Sequence, residues 1–528
     1  MTDRRLHTSR GWQAEHAAEL VVRTRGLDVT VVVEAGEPEA GPTGWPRLVQ
    51  GGELVAAGAE VARVLWADGG GDAPSASRSA LDDARDLQRL ARAAGFAASQ
   101  AEYEPAYHAF FAALDHFEAA LAESRFLGGA EPSLADLWLF AALVRFEGAW
   151  YSLYKVNRGL AREMAQLGGY LRDLHQRPGF ADTVDWDAIK RMHYLEDARI
   201  APKQRVARGV PDLWGPHDRA ERFARAEVRA VGTEEQRGAR GRGEWVRGTS
   251  AHRRWITADG SSGLPAEAGR YHLYIANNCP WCHRVALTRA VKGLQDVVSM
   301  DVLWYRRDPE RGWQFRPDEP GCTEDTVFGF DYARQVYERE GSTERSVPIL
   351  FDTVEQRVVN NESSEIMRML DRAFGALAAR DIELAPDALV DAIDRVNAWT
   401  YTDVNNGAYK AGFTSDQRAH DLAYARYFSA LERLDRRLRT RRFLCGEQLT
   451  EADLRLFPTL FRHDHVYYTR FRLDHRRIRD YPDLYRWLRD VLAVPGVAEA
   501  SNLDHCRKGY FGRNANQVVP LGPEWEFE

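Results

Sequence analysis

Cysteine is scarce in this chain, with five in 528 residues, at positions 279, 282, 322, 445 and 506. So few, so far apart, cannot build a disulfide framework in a chain of this size. Long apolar runs are missing too: nothing reaches the roughly 18 residues a membrane-spanning helix needs. The amino terminus, Met1–Gln13, carries basic residues with no apolar stretch behind them, so no secretory signal is read and a cytoplasmic protein is expected. Neither sign of charge dominates. Lys and Arg number 71 against 78 Asp and Glu, a net charge of -7, and the two signs are interleaved, which leaves no electrostatic footprint for nucleic acid. What remains is the composition of a soluble folded protein, 44% hydrophobic and 28% charged. Its length exceeds the roughly 250 to 300 residues that one core can serve, so two to four domains are expected.

The chain also repeats itself. Residues Phe126–Gly129, Ser133, Asp136, Phe140 and Arg145 find counterparts in Phe443–Gly446, Thr450, Asp453, Phe457 and Arg462, each pair 317 positions apart. The same offset joins Ala94–Phe96 to Ala411–Phe413, Leu171 to Leu488, Pro178 to Pro495 and Asp187 to Asp504. A register held over about a hundred residues marks duplication of a helical domain. Within both copies apolar residues recur at helical spacing, as in Tyr107, Phe110, Phe111, Leu114 and Phe117, or Tyr424, Tyr427, Phe428, Leu431 and Leu434; these are core stripes. Ser133 and Thr450 each precede an Asp by three positions, the pattern of a helix-capping box, so these polar residues read as structural.

Between the copies, residues 201–242 hold Pro202, Pro211 and Pro216 and then a polar, Gly- and Arg-rich run, and read as a linker with short helical pieces. Beyond it, Arg270–Ile275 and Val297–Trp304 read as strands flanking a helix over 280–293, a parallel crossover. Val347–Phe351 and Arg357–Val359 make a plausible antiparallel pair, followed by a helix over 362–370. The fold class is therefore α/β plus all-α. A thioredoxin-like domain is expected over 243–378 and a helical domain with a tail over 379–528, preceded by degenerate copies over 1–84 and 85–200.

The chemistry concentrates in Asn277–Arg284, where strand gives way to helix. Cys279 falls at the helix amino terminus, where unpaired N–H groups and the macrodipole favour a thiolate, the nucleophilic form. His283 and Arg284, one turn on, are expected to add positive potential, and Pro280 suits the first helical turn. Half a zinc site is the competing reading of Cys279 and Cys282, but no second close pair of Cys or His follows at a suitable spacing. Two inert core cysteines are another, against which stands the strand-before, helix-after context of redox motifs.

These residues, together with Gly312–Phe315, Val347–Leu350, Asn360–Ile366, Asn405–Phe413 and Asp480–Leu484, resemble the Xi class of glutathione transferases, the glutathionyl-hydroquinone reductases, over about residues 243–523. The resemblance implies that Cys279 attacks the sulfur joining glutathione to an aromatic ring, forming a mixed disulfide and expelling the hydroquinone. It implies glutathione, or another low-molecular-weight thiol, as co-substrate and a glutathionyl-quinol as substrate. Trp313 would cover the thiol. Pro348, as a cis proline, would expose the Val347 backbone to it, and Glu362 with Ser363 would hold its γ-glutamyl end. Tyr409 and Tyr468 would assist departure of the ring, with Tyr467 and Tyr510 in the acceptor pocket. The family's motif has alanine where this chain has Cys282, which makes Cys282 a candidate resolving thiol. A glutaredoxin-like thiol transferase or dehalogenase using both cysteines, and a non-catalytic scaffold, are the alternatives.

The first copy reads as having lost its site. Ser9–Gly11 stand roughly where Asn278–Pro280 would, no first strand is recognised before them, Ala57 and Gly58 replace Glu362 and Ser363, and Arg92 answers Tyr409. Trp150 and Tyr151 still answer Tyr467 and Tyr468. Residues 1 to about 200 are thus expected to be a pseudo-subunit that packs against the second half as a dimer within one chain.

Overall fold

A computed structural model describes residues 4–8, 13–25, 27, 29–33, 47–50, 53–57, 61–62, 64–65, 78–129, 131–196, 200–201, 205–217, 219, 250, 252–512, 518–523 and 527. Two compact units divide the chain, residues 1–239 with 520–525 and residues 240–519 with 526–528.

The first unit begins with a strand that the sequence reading missed. Arg4–Thr8 (β1) has one buried apolar residue, Leu6, and no local signal strong enough to announce it. It forms because it has partners on both sides: it pairs in parallel with Thr30–Val33 (β2) and antiparallel with Arg47–Gln50 (β3), which pairs in turn with Glu53–Ala57 (β4). Helix α1, Gln13–Arg25, makes the crossover from β1 to β2. The helices Arg78–Gly95 (α2), Gln100–Glu123 (α3), Leu134–Arg145 (α4), Ala165–His175 (α5) and Trp186–Glu196 (α6) follow. The expected core stripe of α3 is buried as read.

The segment expected to be a linker with short helical pieces packs, in its described part, against the helical domain of the first unit. Residues 205–217 form neither helix nor strand, Val206, Ala207 and Leu213 are buried, and Arg219 is helical. Gln176 Nε2 donates to the carbonyls of Leu213 and Gly215 at 3.0 and 2.9 Å, and Arg219 Nη2 donates to those of Leu121, Ser124 and Arg125 at 3.0, 2.7 and 2.7 Å. Prolines prevent helix here, but they do not prevent side chains from filling grooves of the helical domain.

The second unit repeats the sheet with better sequence. All six residues of Tyr271–Ala276 (β5) are buried, as befits a central strand covered on both faces. Its parallel neighbour is Val298–Leu303 (β6), in register from Tyr271 opposite Val298 to Ala276 opposite Leu303. The crossover is helix α7, Pro280–Lys292, closed by Gly293 at φ 69°, a left-handed cap that a side chain would strain. A short hairpin follows, Arg307–Asp308 (β7) with Gly312–Trp313 (β8). Ile349–Asp352 (β9) lies antiparallel to β5, and Arg357–Asn360 (β10) antiparallel to β9, giving the order β6-β5-β9-β10, the same as β2-β1-β3-β4 in the first unit. Helix α8, Ser363–Arg372, packs beside α7.

The helical domain comprises Val390–Thr400 (α9), Asn406–Phe413 (α10), Gln417–Leu438 (α11), Glu451–Phe461 (α12), Pro482–Leu492 (α13) and Leu503–Phe511 (α14). A π-helical turn stands at the same repeat register in both copies, Phe146–Trp150 after α4 and His463–Tyr467 after α12, and the second copy has another, Tyr401–Asn405, between α9 and α10.

Both capping boxes form. Asp453 Oδ2 accepts from Thr450 N and Oγ1 at 2.9 and 2.8 Å, while Oδ1 accepts from Leu444 N and Trp487 Nε1, both at 2.8 Å. Asp136 accepts equivalent bonds from Ser133, from Leu127 N and from the hydroxyl of Tyr170, which stands 317 positions before Trp487. Burial raises both carboxyls above their ordinary range, and the ring of donors opposes it. These residues hold a loop to a helix start in each copy.

Candidate active site

The β5-to-α7 junction places Cys279 at the N-cap of α7, with Pro280 in the first turn. The backbone leaves the strand at Ala276, whose carbonyl accepts from Cys279 N at 2.9 Å, and enters the helix when His283 N donates to Cys279 O at 2.9 Å. Cys279 is half-buried and Cys282, one turn on, is fully buried; neither is in a disulfide. Burial first, and the Cys279 sulfur second, push the Cys282 thiol well above its usual range, so it is protonated at neutral pH.

Cys279 opens onto a cavity of about 320 Å³. Asn278 and Trp281 flank it on the junction, Arg307 and Trp313 come from the β7-β8 hairpin, and Tyr409, Phe413 and Tyr510 come from α10 and α14. The Tyr409 and Tyr510 hydroxyls are hydrogen-bonded to each other, and that of Tyr467 lies 3.2 Å from Tyr510. Burial raises all three phenols, so each keeps its proton at neutral pH and can donate. The cavity is therefore a thiol facing an aromatic box with a chain of phenolic donors in its wall.

Four of the residues expected from sequence, Cys279, Trp313, Tyr409 and Tyr510, line that cavity together, and Tyr467 stands directly behind them. Tyr468 does not join them. The π turn through His463–Tyr467 sends the two neighbouring rings apart, and Tyr468 packs against His463 with the Arg477 guanidinium over its ring. The Val347–Pro348 peptide is cis, and Val347 is buried. Glu362 is the N-cap of α8 and Ser363 its first residue. Glu362 Oε1 accepts from Ser364 N and Oγ at 3.2 and 2.9 Å, and Oε2 from Ser250 Oγ at 3.1 Å.

The sources of positive charge differ from expectation. Burial, helped by the Arg462 charge, pushes His283 well below its usual range, so it is neutral. Arg284 turns to α8, donating to Ser363 and Glu362. The cation beneath the cysteine loop is Arg462, fully buried. Burial opposes its charge, yet its pKa still lies above the ordinary arginine value, so it stays a cation at neutral pH. Arg462 donates to the carbonyls of Asn277 at 2.7 Å, Asn278 at 3.3 Å and Pro458 at 2.7 Å, and to His283 Nδ1 at 2.8 Å. The sequence signalled Arg462 only as a repeat partner of Arg145; nothing local marked it as belonging to the site. Arg307 was likewise unmarked, and Phe413 stood in the Asn405–Phe413 motif with no role assigned to it.

The first unit shows how its junction aligns. Helices α1 and α7 both span thirteen residues, and His16 meets Arg145 Nη1 at 2.9 Å and Thr183 Oγ1 at 2.7 Å, just as His283 meets Arg462 and, at 2.9 Å, Ser501 Oγ. With His16 matched to His283, position 12 answers Cys279, two residues beyond the sequence alignment. Trp12 occupies it and lies outside the described residues, as do Ser9–Gly11 and Gly58. Gln13 replaces Pro280 and donates to the carbonyls of Ala84 and Trp138 at 2.8 and 3.0 Å. No cysteine precedes position 279 in the chain.

A family model for the glutathione S-transferase N-terminal domain matches residues 278–373, and one for the glutathione S-transferase C-terminal domain matches twice, at 100–182 and 411–490. Glutathionyl-hydroquinone reductase YqjG of Escherichia coli (strain K12) is 43% identical over 300 residues, covering 54% of this chain and 90% of that protein. Glutathionyl-hydroquinone reductase PcpF of Sphingobium chlorophenolicum is 40% identical over 288 residues, 53% of this chain and 90% of its own. Among solved structures, a Xi class glutathione transferase from Natrialba magadii superposes with a TM-score of 0.52 at 40% identity, over 53% of this chain and 87% of that one. The glutathione-bound structure of YqjG gives 0.51 at 42% identity, over 52% and 94%.

Proposed function

The chain belongs to the Xi class of glutathione transferases, and from that premise we propose that its second half reduces glutathionyl-hydroquinones to hydroquinones at the expense of glutathione. The observation that carries this reading is the cavity at Cys279, where a half-buried sulfur at a helix N-cap faces the linked hydroxyls of Tyr409, Tyr510 and Tyr467.

The Cys279 thiolate attacks the glutathione sulfur of the conjugate. An S–S bond forms and the C–S bond to the ring breaks, its electron pair staying with the ring carbon, which takes up a proton; the phenols of Tyr409 and Tyr510 supply donors there. The thiolate of a second glutathione attacks the glutathionyl sulfur, releasing glutathione disulfide and regenerating the Cys279 thiolate. Glutathione lies against Val347, under Trp313, with its γ-glutamyl end at Glu362 and Ser363. A thiol as buried and protonated as Cys282 is a poor second nucleophile, which favours the one-cysteine cycle.

The domain limits 243–378 and 379–528, with degenerate counterparts over 1–84 and 85–200, belong to the same proposal, as does pairing of the two halves within the chain. That pairing rests on the duplication alone: residues 243–528 made by themselves should self-associate, and a fully active monomer would sink it.

Purified chain assayed with glutathionyl-menadiol or glutathionyl-chlorohydroquinone tests the function. Turnover that disappears in Cys279→Ser supports it. Turnover of disulfides alone would favour a thiol transferase, and no turnover of either a scaffold.

A further inference from the structure

Helices α7 and α8 run side by side in the same direction, and two buried polar ties join them. At the far end Lys292 Nζ donates to Asp371 Oδ1 at 2.8 Å. At the near end the Arg284 guanidinium donates through Nε and Nη2 to Ser363 Oγ, at 3.0 and 2.6 Å, and Nη2 lies 3.4 Å from Glu362 Oε1. Arg284 is only 2% exposed. It stands five residues beyond Cys279 on the helix that Cys279 caps, and it grips the N-cap and first residue of the helix proposed to receive the γ-glutamyl group.

We infer that Arg284 is the positioning residue that fixes the γ-glutamyl subsite at a set distance from the Cys279 sulfur, so that binding at Glu362 and Ser363 is converted into alignment of the incoming sulfur. This rests on the glutathione reading above. Three features carry it. A planar guanidinium with two bonds to one oxygen has little rotational freedom, unlike a lysine at the same place. Its guanidinium lies against Glu362 Oε1 and helps orient that carboxylate, whose second oxygen, Oε2, accepts from Ser250 and is the group an ammonium would take. Finally, an error of about 1 Å in the placing of a reacting atom lowers the rate about a hundredfold, so a rigid tie between anchor and nucleophile affects rate as well as affinity.

The prediction is selective. A ligand carrying a γ-glutamyl group should depend on Arg284, whereas a thiol reagent without one should not. Full-length chain is exposed to glutathione disulfide or to bis(2-hydroxyethyl) disulfide, in which the Cys279 thiolate attacks one sulfur and expels the other as thiolate. The mixed disulfide on Cys279 is followed by mass spectrometry with peptide mapping. Wild type should react with glutathione disulfide faster by about tenfold or more. Arg284→Met should remove most of that preference while reacting with bis(2-hydroxyethyl) disulfide within about twofold of wild type, and Arg284→Lys should recover only part of it. Lys292→Met, which cuts the far tie of the same helix pair, should lower stability yet keep the preference. Should Arg284→Met fail to fold, Arg284→Lys carries the same test, and full retention of the preference there overturns the inference. Retention of the full preference in Arg284→Met, or its equal loss in Lys292→Met, overturns the inference alone. A wild type that does not prefer glutathione disulfide overturns both the inference and the glutathione reading beneath it.

Discussion

Arg462, the C-cap of α12, donates to His283 Nδ1 at 2.8 Å, and 317 positions earlier Arg145, the last residue of α4, does the same to His16 at 2.9 Å. Arginine can only donate, so each histidine accepts at Nδ1 and carries its proton on Nε2, facing Ser501 in one copy and Thr183 in the other. The first copy keeps this clamp although it has no cysteine to serve. Its primary task is thus to lock the strand-to-helix junction onto the helical domain, and the positive charge beneath Cys279 comes with that architecture.

Removing the clamp should therefore cost stability first. Arg462→Met leaves the carbonyls of Asn277, Asn278 and Pro458 without their buried donor, and a loss of about 3 kcal/mol in urea unfolding is expected. A variant as stable as wild type would contradict the assignment.

Cys282 should be dispensable. Its buried, protonated thiol makes a weak nucleophile, so Cys282→Ala is expected to retain hydroquinone turnover within about threefold. A collapse of turnover, with loss of an internal disulfide intermediate by mass spectrometry, would establish a two-cysteine cycle.

Among the tyrosines the expected order is set by position. Tyr409→Phe or Tyr510→Phe removes a donor from the cavity wall, and kcat should fall by about a hundredfold, the scale of a lost proton donor. Tyr468→Phe, away from the cavity, should leave kcat within about twofold. Steady-state kinetics on one glutathionyl-hydroquinone decide the order.

Acid should weaken the second unit through His463. Burial pushes its pKa from 6.5 to about 3, and the neutral ring accepts at Nδ1 from the Tyr427 hydroxyl at 2.8 Å while Nε2 faces the Arg476 carbonyl at 3.1 Å. A depressed histidine contributes stability that is complete above pH 6.5 and lost as pH falls from there toward 3. By pH 5 the loss from this residue is about 2 kcal/mol. Asp464 beside it, raised by burial to about 7, has the opposite slope, stabilising below 3.8 and losing that contribution as pH rises through 7. The difference between wild type and His463→Gln isolates the histidine: the variant's denaturation midpoint should fall less between pH 7 and 5. Parallel profiles would refute the assignment.

Sequence by itself determined the duplication, the core stripes, the capping boxes, the β5-α7-β6 crossover and the place of Cys279. Each of these is written in local periodicity or in a fixed spacing, and a repeat needs no coordinates to be seen. Only the tertiary structure decided the rest. Strand β1 exists because β2 and β3 pair with it; its own five residues carry almost no signal. Three prolines and a polar run announced a connector over 201–242, yet its described part packs Val206, Leu213 and Arg219 out of solvent. Tyr467 and Tyr468 are adjacent in sequence and equivalent in chemistry, and one π turn separates their fates. Arg462, unmarked locally in the sequence, holds the place beneath the cysteine loop expected of Arg284 for the same reason: a buried charge is defined by the groups that surround it, and those come from residues 79 and 184 or 185 positions away.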